Sequence, residues 1–216
     1  SSSGSANPIN LFVYTGASAT TLTTGSWFNT IDCTGSTGIV GTTSTLTATI
    51  INVNNLILSS TAAVGAYDFL QLTMYGTNST INGNGKSIYT FAITAGGTTS
   101  LAGAVTTTIL YTQAVNTTLS LVSYTLTANA GFTYTAGTLT MGTGTISATT
   151  YTHNGPTFTL ASGTINCSTS FVLAAGAFTL GSGGTLGAIP QFTHNDGTFT
   201  LGKNYSLATT GTYTLN

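Results

Sequence analysis

The chain has 216 residues, of which 2% are charged: two basic residues against three acidic ones, for a net charge of −1. Two lysines give no electrostatic means of holding nucleic acid, and three aspartates leave little from which to build the acid and base of a glycosidase. Disorder is excluded by the rest of the composition, 41% hydrophobic and 10% aromatic with a mean hydropathy of +0.33, because disordered chains are poor in such residues and usually highly charged.

In chain order, residues 1–10 read as a flexible or subunit-exchanging N-terminal arm, lacking the basic start and apolar centre of a signal peptide. Residues 11–216 read as one body, because no shift in composition marks a linker. Ile9-Asn10-Leu11-Phe12-Val13-Tyr14 is the first apolar segment, of strand length. Leu46-Thr47-Ala48-Thr49-Ile50 alternates apolar side chains with hydroxyls, the pattern of a half-buried strand. The apolar runs, such as Leu56-Ile57-Leu58, are far short of the roughly 20 residues that span a membrane as a helix. Asn82-Gly83-Asn84-Gly85 marks a turn. Tyr124-Thr125-Leu126-Thr127 and Phe132-Thr133-Tyr134 are further strands, and no segment has helical composition, since Thr and Gly both disfavour helix interiors.

From residue 100 onward a phrase recurs. Thr138-Leu139-Thr140-Met141, Thr157-Phe158-Thr159-Leu160, Ala177-Phe178-Thr179-Leu180 and Thr198-Phe199-Thr200-Leu201 are spaced by about 20 residues, and Leu119 extends the series backwards. A fixed period of this size, carried by short strands and punctuated by Gly, Ser and Asn, predicts an all-β fold, a parallel β-helix (β-solenoid) with about 20 residues per turn. Its repeat is clearest in residues 100–216. The blurred N-terminal half leaves a β-sandwich as the alternative there. The coil predicts a core ladder of Leu119, Leu139, Phe158, Phe178 and Phe199, continuing into Tyr213.

Candidate chemistry is sparse. Asp32, Asp68 and Asp196 read as turn residues, so the chain is expected not to be an enzyme and to need no cofactor and no metal. Cys33 and Cys167 lie 134 residues apart, about 30 Å in a regular coil, too far for a disulfide, and read as small buried apolar residues. His153 and His194 occur in matched contexts two turns apart, roughly 9.6 Å, which exceeds what one metal ion spans. They read as matched corner residues. Asn78, Asn116, Asn166 and Asn204 begin formal N-glycosylation triplets. The pairs Thr138/Thr140, Thr157/Thr159 and Thr198/Thr200 would form two outward files, similar to the ice-binding face of Thr-rich antifreeze β-helices.

The stretches 85–88, 95–104 and 136–140, rich in Gly and Thr, resemble the repeats of secreted β-solenoid proteins of the adhesin and autotransporter-passenger type, and those of phage fibres. The resemblance implies a right-handed parallel β-helix at a cell or virion surface without catalytic machinery. This chain has far less charge than those families, which predicts self-association. The final segment 210–216 repeats the core phrase without a charged or helical cap, and exposed coil ends invite another strand. The expected function is a structural protein that polymerises head to tail into an extracellular or surface filament. Its expected interface is Ile9, Leu11, Phe12, Val13 and Tyr14 of one copy against Tyr213 and Leu215 of the next. The alternatives are a glycan-binding adhesin or phage-fibre segment and, on the Thr files, an ice-binding protein. The expected partners are therefore further copies of the chain, with surface glycans in the second reading, and neither nucleic acid nor a membrane span.

Overall fold

The computed structural model describes residues 9–13, 15, 20–22, 26–34, 46–58, 67–93, 96–187, 189–202 and 212–215. Its strands are β1 (Ile9–Val13), β2 (Thr20–Thr21), β3 (Ser26–Asp32), β4 (Leu46–Ile57), β5 (Tyr67–Met74), β6 (Asn78–Asn82), β7 (Ser87–Ile93), β8 (Gly97–Leu101), β9 (Val105–Gln113), β10 (Thr117–Ser120), β11 (Thr125–Ala128), β12 (Phe132–Tyr134), β13 (Thr138–Thr140), β14 (Thr145–Asn154), β15 (Phe158–Ala175), β16 (Ala177–Leu186), β17 (Gln191–His194), β18 (Thr198–Leu201) and β19 (Tyr213–Leu215). There is no helix among the described residues.

Every pairing among these strands is parallel, and partners lie roughly 20 residues apart. A chain that pairs only in parallel with the strand one turn away is a coil, so the protein is a β-solenoid. Each turn lays down three faces. In the C-terminal half the first face is β13, the start of β15, the start of β16 and β18. The second is β11, the first half of β14, the middle of β15 and the end of β16. The third is β12, the second half of β14, the end of β15, β17 and β19.

The N-terminal half belongs to the same coil, which overturns the β-sandwich alternative for it. Phe12, Ile31, Leu56, Ile81 and Leu101 stand in one file of the first face. The repeat is blurred in sequence because the rungs there are 25 residues apart at Asn29 to Asn54 and Asn54 to Ser79, against 20 at Thr150 to Ser170. Extra residues inserted at corners leave the strand register intact but destroy the period.

Alternation sets what is inside. In β14 the pattern buries Ile146, Ala148, Tyr151 and His153 and turns the hydroxyls between them outward. The buried side chains form one continuous core from Leu22 to Phe192. Cys33 and Cys167 are both buried and free, as expected. Burial pushes the Cys33 thiol up to about 12, helped by Asp32, and that of Cys167 to about 11, so neither supplies a thiolate near neutral pH.

Candidate functional site

The first candidate is the pair of terminal rungs. β1 pairs with β3, so Ile9 and Asn10 are part of the coil; residues 1–8 lie outside the described residues. Phe12 turns inward and meets Phe28 edge to face at 5.7 Å. Ile9, Leu11 and Val13 are 51, 58 and 54% exposed. Leu11 and Val13 stand in register with Thr30 and Asp32, so this rung carries apolar groups where the next one carries polar groups. At the other end Leu201 and Leu215 are 41 and 67% exposed. Among the described residues no strand pairs with β1 on the side away from β3, or with β18 and β19 on the sides away from β16 and β17. Tyr14 lies outside the described residues.

Between the ends the interior is built from aromatic ladders. Phe158, Phe178 and Phe199 stack in register as the spacing predicts, with Phe178 and Phe199 nearly parallel at 5.7 Å. Tyr213 does not continue that ladder. It pairs with Phe192, at the end of a second ladder of Phe132, Tyr151, Phe171 and Phe192. The rings of this second ladder are stacked at 5.5, 5.1 and 5.2 Å. The two ladders meet edge to face, at 5.0 Å for Phe171 with Phe178 and 4.8 Å for Phe192 with Phe199. A sequence signal for the second ladder exists in the phrase aromatic-Thr-x of Phe132-Thr133-Tyr134, Tyr151-Thr152-His153, Phe192-Thr193-His194 and Tyr213-Thr214-Leu215. Phe171-Val172-Leu173 hides it by replacing Thr.

The third residue of that phrase forms a corner file of Tyr134, His153, Leu173, His194 and Leu215. The two histidines are thus matched corner residues two rungs apart, as expected, but their surroundings differ. Tyr134 donates its hydroxyl to the Gly137 carbonyl at 2.7 Å, and His194 Nε2 lies 3.1 Å from the Gly197 carbonyl. Each ring thereby latches the corner three residues ahead. His153 is fully buried, and neither ring nitrogen completes a hydrogen bond, although the Pro156 and Ala177 carbonyls are near. Its ring lies 5.5 Å from Tyr134 and 5.7 Å from Phe178. Burial holds the imidazole below its ordinary value, against the opposing pull of those two carbonyls.

The same corner departs from its neighbours in backbone. Gly137, Gly176 and Gly197 sit three residues beyond their file residues with φ of +73, +81 and +88°. Three residues after His153 the chain has Pro156, whose ring fixes φ near −65° and removes the N–H, and a register shift between His153 and Asn154 sets Gly155 beneath Gly176. The strand that follows, the start of β15, is not paired with β13 below it, while the second and third faces of the same turn are paired. Two clefts lie along this unpaired seam. One of about 350 Å³ is lined by Gly137, Thr138 and Pro156, with Val115 and Asn116 below. One of about 170 Å³ is lined by Leu139, Thr140, Met141, Thr159 and Ser162. The expected core ladder is therefore two blocks, Leu119 with Leu139 and Phe158 with Phe178 and Phe199.

The remaining candidates stay apart. Asp32 accepts hydrogen bonds from the Thr34 amide and hydroxyl, and Asp196 from the Gly197 amide, both in turns. Asp68 is in β5 opposite Thr47, a strand position, and lies on a different face from Asp32. No group of three metal-ligating side chains occurs among the described residues, and no helix there is long and apolar enough to cross a membrane. Asn78, Asn116 and Asn166 are exposed; Asn204 lies outside the described residues. On the outward side of the first face Thr98, Thr118 and Thr138 are in file, beside Ser100, Ser120 and Thr140. Thr159, Thr179 and Thr200 form a second block across the seam, where Ala177 stands opposite Thr198. These features define a class, a charge-poor β-solenoid with apolar terminal rungs and an unpaired seam between β13 and β15. Compared with known proteins, the chain matches no family model, no characterised sequence and no solved structure.

Proposed function

We propose that this protein is a structural, non-catalytic rod that stacks end to end with further copies of itself into an extracellular or surface filament. The observation that carries the reading is the apolar character of both terminal rungs, where Ile9, Leu11, Val13, Leu201 and Leu215 are exposed. A parallel rung placed against each would bury the inward Ile9, Phe12, Leu201 and Leu215, lie alongside the outward Leu11 and Val13, and pair the strand edges. A second copy fits both ends at once. Phe12 lies on the first face, as Leu201 does, and Ile9 pairs with Phe28 at the third-face corner, where Leu215 stands at the other end. Stacking with Leu201 against Phe12 and Leu215 against Ile9 continues the coil. Such a contact is head to tail and does not close on itself, so it generates a fibre.

Cryo-electron microscopy of the 216-residue chain at neutral pH tests this. The expected result is uniform filaments with a repeat of about 4.8 Å along the axis, dispersed into single rods by Leu215→Asp or Ile9→Lys. Single rods in the unsubstituted protein at micromolar concentration overturn it.

A further inference from the structure

Pro156 ties together three departures from the regular coil. It follows Gly155, which a register shift places beneath Gly176 and which lacks the positive φ of Gly137, Gly176 and Gly197. It precedes the strand that leaves the first face unladdered between β13 and β15, and it lines the larger cleft on that seam. Its carbonyl is the group that His153 would latch by analogy with Tyr134 to Gly137 and His194 to Gly197, and that hydrogen bond is not made. His153 therefore sits as a fully buried, unlatched imidazole directly behind the weakest rung contact in the C-terminal half.

We propose that this corner is an acid-operated latch: protonation of His153 parts the coil along the seam between β13 and β15 while the rest of the solenoid stays intact. A protonated ring has two N–H donors and a charge; the Pro156 and Ala177 carbonyls favour it, but burial among Tyr134, Phe158, Phe178, Leu173 and Gly176 outweighs them. A methyl group on Gly176 would lie 3.3 Å from Nε2, so the ring is packed against that corner. The titratable groups around it are the Tyr134 phenol on β12 and the Tyr151 phenol on its own strand. The neighbouring residues of β15 and β16 are Phe158, Leu173, Ala177 and Phe178, and no carboxylate faces the ring to compensate the charge. The ring meets solvent and gains its carbonyl partners when the corner swings outward, and the unpaired strand beyond Pro156 has no ladder to β13 holding it back.

The sign follows from burial. A group that binds its proton less readily in the closed state leaves that state unaffected above the unperturbed value, about 6.5. The closed state then weakens as pH falls below it, by at most about tenfold in the closed-to-open ratio per pH unit. The composition isolates the effect: with Asp as the sole acidic side chain and Lys as the sole other basic one, imidazole is the side-chain group of this sequence that ordinarily titrates between pH 5 and 7.

Hydrogen exchange by mass spectrometry at pH 7.5 and 5.0, corrected for intrinsic rates, tests the latch. Protection of segments 135–142 and 154–162 is expected to fall at least several-fold at pH 5.0, with 177–187 unchanged. His153→Leu, which places at this corner the side chain found at 173 and 215, is expected to abolish the pH response, and His194→Leu to leave it as in the unsubstituted chain. Pro156→Gly, which returns the N–H and the backbone freedom that the proline ring removes, is expected to reduce it. Equal protection at both pH values, or a response that survives His153→Leu, overturns the proposal. So does loss spread evenly over the whole chain.

Discussion

Phe171 shows what a single side chain does in this coil. It is fully buried, stacks on Tyr151 below and Phe192 above at 5.1 and 5.2 Å, and meets Phe178 edge to face at 5.0 Å. Replacing it with Ala removes contacts to three rungs at once, and the strands are tied to their own ladders and cannot collapse into the space. Phe171→Ala is expected to cost about 3–5 kcal/mol, read from the shift in a urea unfolding midpoint; a cost below about 1 kcal/mol would mean that the ladder relaxes freely. Residue-level detail was the part least legible in sequence. The ladder of Phe158, Phe178 and Phe199 was readable because one phrase repeats around it. The assignment of Tyr213 to that ladder failed because the spacing of 14 residues from Phe199 is not a period, whereas the 21 from Phe192 is. The difference between His153 and His194 was not readable, because burial of a corner depends on the glycine or proline three residues ahead and on the turn stacked above it.

At the scale of the strand and its corners, register was legible wherever the corner length is constant. The second half of the chain reads out its own pairing for that reason, and the first half does not, since insertions at corners change the count without changing which side chains meet. The corners depend on glycine for two reasons. Gly176 has a φ of +81°, which other residues adopt at a cost, and a Cβ there would lie 2.0 Å from the Gly155 carbonyl oxygen of the rung below. Since the obstruction is backbone, the rungs would have to separate. Gly176→Ala is expected to destabilise the coil by about 1–3 kcal/mol, with a lowered thermal midpoint and increased exchange confined to 154–157 and 175–178. An unchanged midpoint would show that the corner can re-form with a negative φ. The seam at Pro156 is the natural counterpart, a corner whose Gly155 lacks the positive φ and is followed by proline and by a strand without a lower partner.

Across the whole molecule the interior changes character along the axis. One inner file of the first face runs through Asn29, Asn54, Ser79 and Thr99 before reaching Leu119 and Leu139 and, beyond the seam, Phe158, Phe178 and Phe199. At its polar end Asn54 donates to Asn29 at 3.1 Å, and Ser79 donates to Asn54 at 2.8 Å. Hydrogen bonds of this kind contribute on the order of 1 kcal/mol each, whereas burying an aromatic ring contributes about 1.5–3 kcal/mol and ring contacts add to it. Stability in a coil is close to a sum of rung terms and nearest-neighbour contacts, so the two halves need not open together. Native-state hydrogen exchange in low denaturant is expected to show β3 to β6 opening first and β14 to β17 last, with the separation widening as denaturant is raised. Ser79→Ala, which deprives Asn54 and the Gly76 amide of a partner, should accelerate exchange in the first group and leave the second unchanged. A single opening free energy shared by all strands would instead mean that the core running from Leu22 to Phe192 couples every rung, and that the polar file acts as a stiffener and not as a weak segment.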